Sequence, residues 1–274
     1  MKHRTRADTQ AHVPAPTPGE RDGVWSLHVL GTGAASAVDL GSSGAVLERD
    51  GEPVVLIDCG PGTLDHYLRC YGAPPAAVFI THGHMDHVAG LERLFHAVWF
   101  DPQQRGRVKL LVHSNLVPIL QSRVGDYPNA LAEGGVNFWE GFRLVPVSRG
   151  FWLDRWWFDV FATRHHVPGT SFGIALRGCF AWTGDTRPIP EVLSAVSDPC
   201  TLVAHDCALN GNPSHTGVED LEREYPVDLR TRLLLYHYGS EAEAVALRER
   251  GFKVAVPDGR YPLHAPHPVC AEAG

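Results

Sequence analysis

No apolar run in this chain reaches the 18 or so residues needed to cross a membrane. No Cys-x-x-Cys pair occurs. The six cysteines, at positions 59, 70, 179, 200, 207 and 270, are scattered. They read as reduced thiols of a cytoplasmic protein rather than a disulfide frame. There is no long basic stripe and the formal net charge is −7, which argues against a long nucleic acid as the main partner. The opening "MKHRTRADTQAHVPAPTPGERDG" lacks the apolar centre of a secretory signal. It is polar and Pro-rich, so residues 1–23 are expected to form a disordered leader. No short-period repeat is visible, and no shift in composition divides the 274 residues. Residues 24–274 are therefore expected to form a single domain, long enough to bury a large core.

What is present is a series of short apolar runs between turn signals. Runs at 25–31, 44–49, 53–60 and 76–81 read as strands, with helices expected over 62–72 and 87–100. The second half repeats the style, with strands at 156–166, 171–178, 179–184, 200–206 and 232–239. Helices are expected over 188–197, 217–224 and 240–250, and a strand near "VKLLVH" precedes a helix near "NLVPILQSRV". This mixture predicts an α/β (α+β) domain of two sheets with helices outside. The aromatic cluster "FWLDRWWF" at 151–158 reads as sheet packing rather than a base-stacking platform.

One stretch stands apart: "FITHGHMDHVAGL", residues 79–91. His82 and His84 are two apart just past a buried strand, and that spacing in extended chain sends both side chains to one face. Asp86 and His87 fall where a helix begins and turn back toward the same point. Gly83 permits a tight backbone between them. Neutral imidazoles with a carboxylate suit a borderline cation such as zinc.

"THGHMDHVAG" resembles the His-x-His-x-Asp-His signature of the metallo-β-lactamase superfamily. Further segments resemble that family in its own order: "LGTGAASA", "VVLIDCGPG", "RHHVPGTSFGIAL", "AWTGDTRP" and "LLLYHYGS". The resemblance spans about residues 25–257. It implies an αββα sandwich of two mixed sheets flanked by helices, with the site at one edge of the paired sheets. It implies two divalent ions, zinc first and manganese or iron as substitutes. His82, His84 and His165 would hold one ion, and Asp86, His87 and His237 the other. Asp185 would bridge them, with a hydroxide between. Asp58 takes the place of the family's supporting aspartate behind the ligands. His165 and His166 are adjacent, and the spacing from "FDV" and the following "VP" favours His165.

The resemblance also narrows the chemistry. Members that oxidise small sulfur compounds generally lack the last histidine, supplied here by His237. Two ions with a bridging carboxylate favour hydrolysis, and their geometry suits a phosphodiester. "AHDCALNGNPSHTGVEDL" resembles the segment of ribonuclease Z and its phosphodiesterase relatives with two short motifs, His-Glu-Ala-Thr and His-Ser-Thr. By that likeness His205 supports the site from behind the ligands. His215, 22 positions before His237, would protonate the leaving oxygen, and Asp86 would orient the hydroxide. Ribonuclease Z also carries a Gly- and Lys-containing arm that grips transfer RNA, and residues 100–155 show no clear equivalent. The expected substrate is thus a smaller phosphodiester, such as a cyclic nucleotide or a glycerophosphodiester-like molecule. Hydrolysis of a lactone, thioester or β-lactam on the same metals stays open. So do an oxidoreductase, a non-catalytic metal-binding protein, and assembly as a homodimer.

Overall fold

Fourteen strands form two seven-stranded sheets in a computed structural model that describes residues 23–126 and 135–267. The leader expected over residues 1–23 lies, but for Gly23, outside them. The first sheet contains β1 (Trp25–Gly31), β2 (Gly44–Arg49), β3 (Glu52–Ile57), β4 (Ala77–Ile80), β5 (Lys109–His113), β6 (Arg143–Val147) and β14 (Gly259–Leu263). The second contains β7 (Gly150–Leu153), β8 (Trp156–Ala162), β9 (Phe172–Leu176), β10 (Phe180–Trp182), β11 (Leu202–Asp206), β12 (Leu233–Tyr236) and β13 (Lys253–Val254). Their orders are β14-β1-β2-β3-β4-β5-β6 and β13-β12-β11-β10-β9-β8-β7. Each sheet is antiparallel over four strands and parallel over the remainder. Both are therefore mixed, as expected.

Strand periodicity assigns the faces. In β12, Leu234 and Tyr236 enter the core between the sheets, whereas Leu233 and Leu235 enter a second core under the outer helices. In β10, Phe180 and Trp182 face the first core and Ala181 the second. Helices α1 (Thr63–Tyr71), α2 (Met85–Val88), α3 (Gly90–Trp99) and α4 (Val117–Leu120) accompany the first sheet in sequence. Helices α5 (Pro190–Val196), α6 (Val218–Glu224), α7 (Val227–Arg230) and α8 (Glu241–Glu249) supply Leu193, Leu221, Leu229 and Leu247 to the second core. The hairpin β7–β8 carries the aromatic cluster, and Phe151, Trp156 and Phe158 are buried in the sheet core.

Some bounds differ from expectation for local reasons. The strand expected over 53–60 stops at Ile57, because Asp58 turns at φ 61°. The strand expected over 156–166 stops at Ala162, and His166 lies at φ 51°. The helix expected over 87–100 begins at Met85 as α2 and continues as α3, so Asp86 and His87 lie inside its first turn. No helix among the described residues is long and apolar enough to cross a membrane.

Candidate metal centre

Where strands of both sheets end, turns gather the side chains singled out by the sequence. Beyond β4 the chain passes through Thr81 to His82 and His84, and α2 adds Asp86 and His87. His165 follows β8, Asp185 follows β10 and His237 follows β12. A bridge between His82 and Ser171 ties the two sheets together here. Asp58 and His237 adopt positive φ, 61° and 66°. For a residue with a side chain this costs on the order of 1–3 kcal/mol, a strain typical of functional sites. The His237 amide offsets part of it by donating to the Thr32 carbonyl at 2.7 Å.

Two groups of four carry the residues singled out by the sequence, and a third, of Asp185, Asp206, His215 and His237, overlaps them. His82, His84, His165 and Asp185 bring one ligand atom each within 4.8 Å of one another. Asp86, His87, Asp185 and His237 do the same, so Asp185 belongs to both. His166 joins neither group; its ring contacts Ser214 Oγ at 3.3 Å. Of the adjacent pair, it is His165 that turns inward.

Hydrogen bonds behind these residues fix which ring nitrogens face inward. Thr81 Oγ1 donates to Asp58 Oδ2 at 2.8 Å, so it accepts from His82 Nδ1 at 3.0 Å. His87 Nδ1 donates to Asp58 Oδ2 at 2.8 Å, and the Thr81 amide donates to Asp58 Oδ1 at 2.8 Å. His165 Nδ1 donates to the Ser214 carbonyl at 2.9 Å. In the neutral form of each ring Nε2 is left with its lone pair toward the cluster.

Neutral rings then bring three nitrogens together with at most one proton among them. The Nε2 atoms of His82 and His165 lie 3.1 and 3.2 Å from His84 Nδ1. His87 Nε2, His237 Nε2 and Asp185 Oδ1 are buried without a hydrogen-bond partner. His87 Nε2 stands 3.4 Å from Asp185 Oδ1, and His237 Nε2 3.3 Å from Asp185 Oδ2. Buried polar atoms are rarely left so, and a cation satisfies all of them together. The residues fit a metal site.

The electrostatics agree. Burial, with the charge of His87, drives the basicity of His82 well below the usual range, and burial takes His165 down to about 4. Both rings are neutral at ordinary pH, the form in which imidazole can bind a cation. Burial would do the same to His87 and His237. Asp185 and Asp58 instead raise His87 well above the histidine range, and Asp185 with Asp206 raises His237 to about 10. These two positions attract positive charge strongly, and a dication held there would take the place of their protons.

His215 sits beside this centre. Its Nδ1 donates to Asp206 Oδ2 at 3.0 Å, and its ring stacks on His237 with centroids 4.8 Å apart. Burial opposes its proton, but Asp206 outweighs burial and raises its pKa. His215, His84, Asp86, Asp185 and His237 line one open cavity of about 420 Å³.

His205, the residue expected behind the ligands, touches none of them: its Nδ1 contacts the Asp206 carbonyl at 2.6 Å and its Nε2 the Tyr225 hydroxyl at 2.7 Å. Strand alternation explains this: in β11, Val203 and His205 point to the helix side, and Ala204 and Asp206 to the sheet interior. The residue missed is Asp206. It accepts from the Thr186 amide at 2.8 Å and from His215, and its Oδ1 lies 3.5 Å from His237 Nδ1. A signal for it existed, since Asp206 occupies the glutamate position of the His-Glu-Ala-Thr motif.

Comparison with known proteins agrees with the geometry. The family model described as Anti-Pycsar protein Apyc1 matches residues 25–261. The Anti-Pycsar protein Apyc1 of Paenibacillus harenae is 27% identical over 245 residues, covering 86% of this chain and 98% of that protein. Among solved structures, the metallo-β-lactamase fold protein YhfI of Bacillus subtilis superposes with a TM-score of 0.67 at 15% identity, over 86% of this chain and 99% of its own. The short form of human tRNase Z gives 0.59 at 19% identity, over 88% and 100%. The fold is the metallo-β-lactamase fold.

Proposed function

We propose, from the premise that the chain belongs to the Anti-Pycsar protein Apyc1 family, that it is a dinuclear metal phosphodiesterase acting on a small cyclic phosphodiester such as a cyclic nucleotide. The observation that carries this reading is the pairing of two four-residue groups that share Asp185 with His215, hydrogen-bonded to Asp206, at the same cavity wall. Two zinc ions held there would supply an activated water and neutralise charge on the phosphate in the transition state. His82, His84 and His165 would hold one ion, Asp86, His87 and His237 the other, and Asp185 both.

The chain's own groups would do the remaining work. Asp86, a carboxylate held well below its usual range by His237 and His87 against the effect of burial, orients the attacking water. Asp206 fixes the His215 ring through Nδ1, so Nε2 carries the proton that the leaving oxygen needs. Thr81 and Asp58 lock the ring orientations of His82 and His87. The cavity lies in the size range of small-molecule pockets, which supports a mononucleotide-sized substrate over a long nucleic acid. The described cysteines are all free thiols, in keeping with a cytoplasmic enzyme.

The test is a substrate panel for purified, zinc-replete protein. A cyclic nucleotide and a bis-aryl phosphate should be cleaved with kcat/KM far above that for a β-lactam or lactone. Turnover of either of those two orders of magnitude faster than every phosphodiester would overturn the reading.

A further inference from the structure

A second group of metal-ligating side chains lies outside the centre just described and shares no residue with it. His66 and Cys70 stand four apart on α1, hence on one helix face. His28 comes from β1, and Asp258 from the turn before β14, held at φ 64°. One ligand atom from each of the four lies within 4.8 Å of the others. His28 Nε2 is 2.7 Å from Asp258 Oδ1, and His66 Nε2 is 3.4 Å from the same oxygen.

The protonation of His28 makes this more than a coincidence of residue types. Tyr71 donates its hydroxyl proton to Glu48 Oε1 at 2.6 Å. Ser26 Oγ also donates to Glu48, at 2.7 Å to Oε2, so both carboxyl oxygens act as acceptors here. The Tyr71 oxygen must then accept from His28 Nδ1, at 2.7 Å. A neutral His28 therefore carries a lone pair on Nε2, pointed at a carboxylate oxygen 2.7 Å away. Two acceptors at that distance need a proton or a cation between them. The ring is fully buried.

We propose that His28, His66, Cys70 and Asp258 form an additional, structural site for a zinc-type dication. Two imidazoles, a thiolate and a carboxylate are a donor set for tetrahedral zinc. The Glu48–Tyr71–His28 chain is the outer support that such ligands require. On binding, the Cys70 thiol loses its proton to solvent and the sulfur becomes a thiolate ligand. The ion joins edge strand β14 to β1 and α1. No β14 residue is fully buried, so coordination supplies anchoring that its packing does not.

Cobalt(II) gives a readout specific to this site, because the ligand groups of the catalytic centre contain no sulfur. Wild-type protein loaded with cobalt should show a thiolate-to-cobalt charge-transfer band in the near ultraviolet. Cys70→Ser should abolish the band, bind one cobalt fewer per chain and keep its phosphodiesterase activity. His66→Ala should weaken cobalt binding at the same site. Absence of the band from cobalt-saturated wild type would overturn the proposal, as would a band unchanged in Cys70→Ser. In either case an imidazolium–carboxylate pair of His28 with Asp258 would be the correct reading.

Discussion

Gly60→Ala should damage the candidate metal centre although residue 60 carries no chemistry. The turn after β3 crosses α2 so closely that a Cβ on Gly60 would stand 1.8 Å from the Asp86 carbonyl and 2.6 Å from Ser42 Cβ. Real Cβ atoms essentially never approach below 3.0 Å, so the Asp86 backbone must retreat by about 1.2 Å. Nothing there yields cheaply: the Cys59 amide donates to the His87 carbonyl, and the Gly90 amide to the Cys59 carbonyl, both at 2.8 Å. Overpacking of this kind costs about 1–3 kcal/mol, or about 3–9 °C of melting temperature at roughly 3 °C per kcal/mol for a domain of this size. Catalysis should suffer more, because a misplacement of about 1 Å costs on the order of 10²-fold. Gly62→Ala is the control. That glycine has φ 76°, and a Cβ placed on it would meet nothing within 4 Å, so the substitution strains only the backbone, by about 1–2 kcal/mol. The assay is thermal unfolding together with kcat/KM on a bis-aryl phosphate. Two variants equally destabilised and equally active within a few-fold would refute the idea that the Gly60 crossing positions Asp86 and His87.

The remaining predictions concern single side chains. His165→Ala should lose a metal ion and nearly all activity, whereas His166→Ala should keep both; elemental analysis after dialysis separates them, and the opposite pattern would reassign the ligand. His215→Ala should keep its metals and lose little on a bis-nitrophenyl phosphate, whose leaving group needs no proton, but about 10²-fold or more on an alkyl or ribosyl phosphodiester. Equal losses on both would assign His215 to binding instead. Asp206 raises the His215 pKa, so the acid form is present below that value and lost above it. The wild-type rate on a ribosyl phosphodiester should fall as pH rises through it, and Asp206→Asn should move that fall to lower pH.

The parts of this molecule legible in its sequence are those with dense local signals. The ligand cluster of residues 82–87 sits between a buried strand and a helix, so spacing alone places its four side chains. The long-range members of the cluster, His165, Asp185 and His237, were legible only through family resemblance, because no local rule connects them with residue 82. All four strands that the sequence did not reveal, β6, β7, β13 and β14, lie at sheet edges. Edge strands face less core, so their apolar pattern weakens, and two of them tolerate a proline, Pro146 and Pro262. His205 was misplaced because a histidine beside an aspartate in a strand can present either one to a site. Only the register of the neighbouring core residues shows that Asp206 faces inward. The His28, His66, Cys70 and Asp258 group had no sequence signal beyond the four-residue spacing on α1, since its members come from three separate elements.

Phosphodiester hydrolysis as a function of zinc equivalents added to stripped protein tests the central claim most directly. The Cys70→Ser variant is the protein to use, so that zinc at the structural site does not enter the count. Activity should rise until about two equivalents per chain are bound and then level off, with Asp185→Asn failing to hold the pair. Full activity at one equivalent, or two bound equivalents with no hydrolysis of any phosphodiester, would contradict the account.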